Sequence, residues 1–129
     1  MLKKNFLFVF FALLVVNTMF AQTEDNEELK ELYRTDQADR STADIDWSIV
    51  SVNDSIRQAR VYQLLDSNLV VTSNDYANAA MIFQHGRDST DYRMVVELMT
   101  KAIELDPSRS KWLLAAGISW GVEKMELHN

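Results

Sequence analysis

Two short polar runs hold the residue types in this chain that can do chemistry: Asp36-Gln37-Ala38-Asp39-Arg40 and, much later, Gln84-His85. Asp36 and Arg40 are four apart, so on a helix they share a face and can pair. They also continue the phase of Leu29, Leu32 and Tyr33, so an apolar stripe runs into charged groups without a change of face. A charge that points inward must be paired or solvated, because leaving it alone in a core costs several kcal/mol. Two readings stay open: a surface pair at a helix end, or a polar network that lines a pocket. His85 leaves its helix just before Gly86, in phase with Asn78, Met81 and Ile82. There the negative helix end favours a cation and predicts a raised imidazole pKa. As a cap, His85 would bond freed carbonyls; as a general acid or base, it would be oriented by Asp36 or Asp39. If the two runs meet in space, the Asp36 or Asp39 carboxylate should come within hydrogen-bond reach of His85 or of Arg60. The predicted binding set is therefore Asp36, Gln37, Asp39, Arg40, Arg60, Gln84 and His85, with His85, Asp39 and Asp36 as candidate catalytic groups.

Other chemistries lack their residues. There is no cysteine and no His-x-x-x-His, and His128 lies in an atypical tail, so no metal site is expected. No glycine-rich loop and no Gly-x-Ser-x-Gly elbow occur, so neither a phosphate cradle nor a hydrolase elbow is expected, and no cofactor is implied. Tyr76, Phe83, Tyr92, Trp112 and Trp120 fall on helical stripes and read as core.

The elements that must position these groups read as all-α. The chain has three Gly and one Pro, too few turn formers for a many-stranded sheet. A first helix carries Leu29, Leu32 and Tyr33, and Ser41, Thr42 and Asp44 end it. Residues 41–55 read as irregular, with Trp47, Ile49, Val50 and Val52 lying across the core. A second helix is predicted from about Ile56 to Ser67, contributing Ile56, Val61, Leu64 and Leu65, with Asn68 at its end. Leu69–Val71 is too short to assign as strand or buried link. Thr72 or Ser73 caps a third helix with Tyr76, Ala79, Ala80 and Phe83 at i, i+3, i+4, i+7. Gly86 is expected to stop it in the left-handed conformation. Tyr92, Val95, Val96, Met99, Ala102 and Ile103 give the cleanest stripe, closed by Pro107, and a last helix carries Trp112, Leu113, Ala115, Ala116 and Trp120. About five short helices in antiparallel hairpins result, with the small residues Ala79, Ala80, Ala102, Ala115, Ala116 and Gly117 allowing close approach.

Two resemblances follow from these runs. Asp91-Tyr92, Val95, Met99, Ala102 and Pro107 resemble the second helix of a tetratricopeptide repeat, over about 32 residues. The run Asp36-Gln37-Ala38-Asp39-Arg40, then Arg60-Val61, Asp75-Tyr76, Ile82-Phe83-Gln84-His85-Gly86, Lys101-Ala102-Ile103-Glu104-Leu105 and Trp112-Leu113, resembles a bacterial family, domain of unknown function 6624. That resemblance spans roughly residues 29–117 and implies a small helical domain, often exported, without supplying an activity. The family continues with an Asp-Arg pair and Gly-x-Pro-Gln and Gly-Thr-Gln motifs; Ser119–Asn129 has none of them, as a truncated, frame-shifted or divergent copy would.

The N-terminus predicts export. Lys3 and Lys4 precede an unbroken apolar run, Phe6–Val16, and Ala21 offers a small residue before Gln22. This is the order of a cleavable signal peptide, and the run is well short of the roughly 20 residues that span a bilayer. The expected layout is a signal peptide over 1–21, a polar lead-in over 22–28, a helical domain over 29–117 and an atypical tail over 118–129. Loss of the two lysines takes the net charge from −6 to −8, which argues against nucleic acid and anionic membrane as partners. The expected function is a non-catalytic module, periplasmic or secreted, for an unknown protein, peptide or small molecule. The alternatives are a small hydrolase using His85 with Asp36 or Asp39, and a degraded copy without function.

Overall fold

The structure, a computed structural model, describes residues 23–113. It contains helices α1 (Glu27–Asp39), α2 (Trp47–Asp66), α3 (Ser73–Phe83) and α4 (Ser89–Leu105), then a 3₁₀ turn (Pro107–Arg109) and a helical turn (Ser110–Leu113). Among the described residues there is no strand, so the all-α reading holds. The signal peptide, the side chain of Trp112, the residues Ala115, Ala116, Gly117 and Trp120, His128 and the tail lie outside the described residues.

Each helix begins where a side chain can satisfy its orphan amides. Asn26 Oδ1 accepts from the amides of Glu28 and Leu29 at 2.9 and 3.2 Å. Asp46 accepts from Ser48 and Ile49, and Asp88 from Thr90 and Asp91. Thr72 and Asp75 form a reciprocal capping box. Asp75 does more than cap, because its buried carboxylate also accepts from the amide of Asn26 at 2.7 Å and of Val71 at 3.1 Å. That fastens the residues before α1 to the start of α3. The lead-in is thus anchored at Asp25, which bonds Thr72 and Asn74, and helix already begins at Glu27.

The core is built around α3, whose Ala77, Ala79, Ala80, Ile82 and Phe83 are all buried. Its small residues let α1 and α4 approach from different sides. Leu29 enters from α1, Val61 and Leu64 from α2, and Val95, Leu98, Met99 and Ala102 from α4. Tyr62 meets the Phe83 ring edge-on, with centroids 5.1 Å apart. Leu98 joins the predicted α4 stripe; Tyr92 is buried, its hydroxyl donating to the Gly86 carbonyl at 2.7 Å.

Three expectations are corrected. Helix α2 starts at Trp47 rather than near Ile56, because Asp46 supplies the cap and nothing in residues 47–55 breaks a helix. As a result Trp47, Ile49, Val52 and Ile56 stand on its outer side, all more than half exposed, and only Val50 of the 41–55 segment reaches the core. Finally, Gly86 does not have positive φ. Its role is close approach: a Cβ there would lie 2.2 Å from Asp91 Cβ and 2.9 Å from the Phe83 carbonyl oxygen. The left-handed residue is Asn68, at φ 56°, just past α2. The amides of Asn68 and Leu69 donate back to the carbonyls of Leu65 and Leu64, the Schellman pattern.

Candidate functional site

The last turn of α1 meets the first half of α2 through a buried ionic network. Asp36 is completely buried. Its Oδ1 accepts from Arg40 Nη1 at 2.8 Å, and its Oδ2 accepts from Gln37 Nε2 at 2.8 Å. Arg40 turns its other nitrogen, Nη2, to Asp54 Oδ2 at 2.6 Å. Arg57, buried in the middle of α2, donates to Asp54 Oδ1 at 3.1 Å and to Asp39, and stands 3.8 Å from Asp36. Asp39 also accepts from Asn53 at 2.9 Å. The spacings explain the arrangement: Asp36 and Arg40 are one turn apart on α1, and Asn53, Asp54 and Arg57 sit within one turn of α2. Three carboxylates face two guanidiniums, so one negative charge is left over in a poorly solvated place.

Burial, more than the excess charge, governs the ionisation of Asp36. Burial pushes the Asp36 carboxyl above the usual carboxylate range, helped by the like charge of Asp54, against the pull of Arg40, His85 and Gln37. Asp39, nearer the surface, is held below the usual range by its hydrogen bonds from Arg57 and Asn53. The two carboxylates three residues apart are thus pushed in opposite directions.

A cleft of about 290 Å³ opens above this floor. Arg40 forms its base, a stripe of α2 (Trp47, Val50, Ser51, Asp54 and Gln58) forms one wall, and His85 and Arg87 from the α3–α4 link form the other. Arg40 and His85 therefore share one cavity, as expected if the two polar runs meet. The contacts differ from the expected ones. Asp39 pairs with Arg57, not Arg60, and neither Asp36 nor Asp39 hydrogen-bonds His85 among the described residues. Arg60 instead bonds Glu28 at 2.5 and 2.9 Å and Gln63 at 2.8 Å, away from the cleft. Gln84 is the C-cap residue of α3 and is not among the residues lining the cleft.

His85 is exposed, yet its imidazole pKa is lowered, first by the hydration lost on its packed side and next by the Arg40 cation, with Asp36 and Asp54 pulling the other way. The raised pKa expected of an isolated helix-end histidine is therefore corrected by what α1 brings against it. Neutral imidazole is the form this site favours, and its nitrogens make no hydrogen bond among the described residues. The Gln58 side chain is the second group left open. The residue is only 8% exposed, yet its amide has no hydrogen-bond partner among the described residues and touches the cleft. Arg87, at the rim, has only the Ser55 hydroxyl at 3.3 Å against its guanidinium.

Arg57, Asp54, Gln58, Trp47 and Arg87 are the site residues that sequence reasoning missed. The signal was present: Trp47, Val50, Ser51, Asp54 and Gln58 recur at helical spacing. It becomes visible only once the helix is taken to start after Asp46 rather than near Ile56. Among the described residues no three His, Asp or Glu side chains are placed to hold a metal ion. Also among them, no helix is long and apolar enough to cross a membrane. No protein family, no curated protein and no solved structure matches the chain.

Proposed function

We propose that this is a non-catalytic binding module that holds a small polar–apolar ligand in the cleft between α2 and the α3–α4 link. The observation that carries the reading is Gln58: a residue nine-tenths buried whose amide has no hydrogen-bond partner among the described residues and reaches solvent in a cavity it lines. Its free donor and acceptor are open to a ligand that enters the cleft. Trp47 and Val50 supply apolar wall, and Arg40 and Asp54, paired with each other and backed by Arg57, supply a floor whose charges are already engaged. A concave site with a few convergent polar groups is the usual form of a ligand pocket, and 290 Å³ sits at its small end.

The same reading takes the chain as an exported bacterial domain of the family called domain of unknown function 6624, built from antiparallel helical hairpins with a tetratricopeptide-like α3–α4 pair. The Glu28–Arg60 and Asp39–Arg57 pairs tie both ends of α1 to the middle of α2. The extensive α3–α4 packing supports a hairpin of those two helices. The test of function is a fragment titration of the purified protein followed by NMR. Ligands should move the Gln58 side-chain amide and the Trp47 indole together. Hits that gather elsewhere, or a cleft that no fragment perturbs, would refute the module.

A second reading, a hydrolase with His85 as acid–base, is favoured by one observation: a largely neutral imidazole with open nitrogens lines the cleft. Against it, Asp36, Asp39 and Asp54 accept from Arg40, Gln37, Asn53 and Arg57, and none of them accepts from the ring among the described residues. Turnover of peptides, glycans or esters that disappears in His85→Ala would establish the enzyme.

A further inference from the structure

Resting on the binding reading, we infer that the cleft takes a singly charged carboxylate attached to an apolar body, with the carboxylate on Arg87 and the body along Trp47 and Val50. The charge of the ligand follows from which groups are left over. A cation would find one carboxylate among the lining residues, Asp54, and its charge is already shared by Arg40 and Arg57. An anion finds Arg87, an exposed guanidinium with one long hydroxyl contact and no carboxylate within ion-pair distance among the described residues. Planar carboxylate and planar guanidinium match as a two-bond fork.

The charge balance limits the anion to a single charge. Three carboxylates and two guanidiniums leave the floor at −1, and Arg87 brings the cleft to neutrality with His85 uncharged. A monoanion adds one charge, which protonation of His85 can offset. A phosphate dianion would leave a second charge uncompensated, in a protein already strongly acidic. Gln58 adds a further feature. Its amide offers both a donor and an acceptor, which fits a peptide group near the carboxylate and not a plain hydrocarbon acid. The body of the ligand meets an indole that is 63% exposed, broad enough for an aromatic or branched side chain. Two sources carry this chemistry: the C-terminal residue of a peptide, and a free organic acid.

Three probes separate the possibilities when titrated into the full exported protein, with the Gln58 amide and Trp47 indole followed by NMR. N-acetyl-phenylalanine has carboxylate, amide and ring; 3-phenylpropionate lacks the amide; N-acetyl-phenylalaninamide lacks the charge. N-acetyl-phenylalanine should bind at least tenfold more tightly than its carboxamide, and Arg87→Gln should remove that preference, a change of about 1.4 kcal/mol. Arg34→Gln, an exposed arginine paired with Glu31 on α1, should change nothing. A preference for N-acetyl-phenylalanine over 3-phenylpropionate supports a peptide terminus, and equal affinity supports a free acid; either upholds the carboxylate. Equal binding of acid and carboxamide, or an unchanged preference in Arg87→Gln, overturns the carboxylate while leaving the binding module standing. If none of the three moves either signal, the carboxylate is rejected outright, and the broader fragment titration then decides the module separately.

Discussion

Replacing Arg57 by Met should cost far more stability than replacing Asp36 by Asn, although the two side chains belong to one network. Arg57 is 7% exposed at its side chain and holds Asp39 and Asp54 directly. Removing it leaves three carboxylates against one guanidinium, two of them deprived of a partner in a poorly solvated place. Breaking a buried pair in this way typically costs about 3–5 kcal/mol. Asp36→Asn acts in the other direction on the charge count, leaving two carboxylates against two guanidiniums. It removes the ionised group whose burial already opposes its charge, and keeps an oxygen to accept from Arg40. Its cost should stay near about 1 kcal/mol, the worth of the weakened hydrogen bonds. With a urea m-value of about 2 kcal/mol/M, a loss of about 4 kcal/mol lowers the midpoint by about 2 M, against about 0.5 M for Asp36→Asn. Urea unfolding with unchanged m measures both. The double variant should be no less stable than Arg57→Met alone, because Asp36 is one of the charges Arg57 helps to offset. Equal losses, or a larger loss for Asp36→Asn, would refute the charge count on which the floor of the cleft rests.

Other perturbations probe the parts that hold this floor in place. Asp75→Ala should destabilise by about 2–3 kcal/mol, since it strips a buried acceptor from the amides of Asn26, Val71 and Thr72; hydrogen exchange should show the Asn26 amide losing protection. Gly86→Ala should cost about 1–3 kcal/mol through its collision with Asp91 and the Phe83 carbonyl. By shifting the His85–Arg87 link it should also weaken any cleft ligand, read as a raised Kd in the same titration. On acidification, Asp39 and Asp25 should lose stability for the fold: their folded pKa values lie below 3.8, so their contribution is full above that value and disappears as pH falls through the lower folded values. Acid unfolding followed by circular dichroism checks this, and Asp39→Asn should flatten the decline.

Much of the fold is legible in the sequence because helix signals here are local. Asp75 and Thr72 announce α3, Pro107 closes the α4 stripe, and the phase of Leu29 and Leu32 carries through to Asp36. What the sequence hid is pairing between helices. Nothing in the spacing of Arg57 and Arg60 tells which one reaches Asp39; three residues of rotation on α2 decide it, and Arg60 turns to Glu28 instead. The start of α2 was hidden for a different reason. Trp47, Ile49 and Val52 look like core, and only the structure leaves them facing outward. Gln58 was invisible as a site residue because an amide gains meaning only from the partner it lacks.

The pKa of His85 tests most directly whether the ends of α1 and α3 meet over an ionic floor. An isolated histidine at a helix C-terminus should titrate above 6.5. Partly desolvated and near the Arg40 cation, it should titrate below 6.5, and stability linked to it is then fully present above 6.5 and declines as pH falls towards the lower folded value. An imidazole midpoint below 6.5 by NMR, in a protein whose stability falls over that range, is the predicted result; a midpoint above 6.5 would contradict it and separate the two ends.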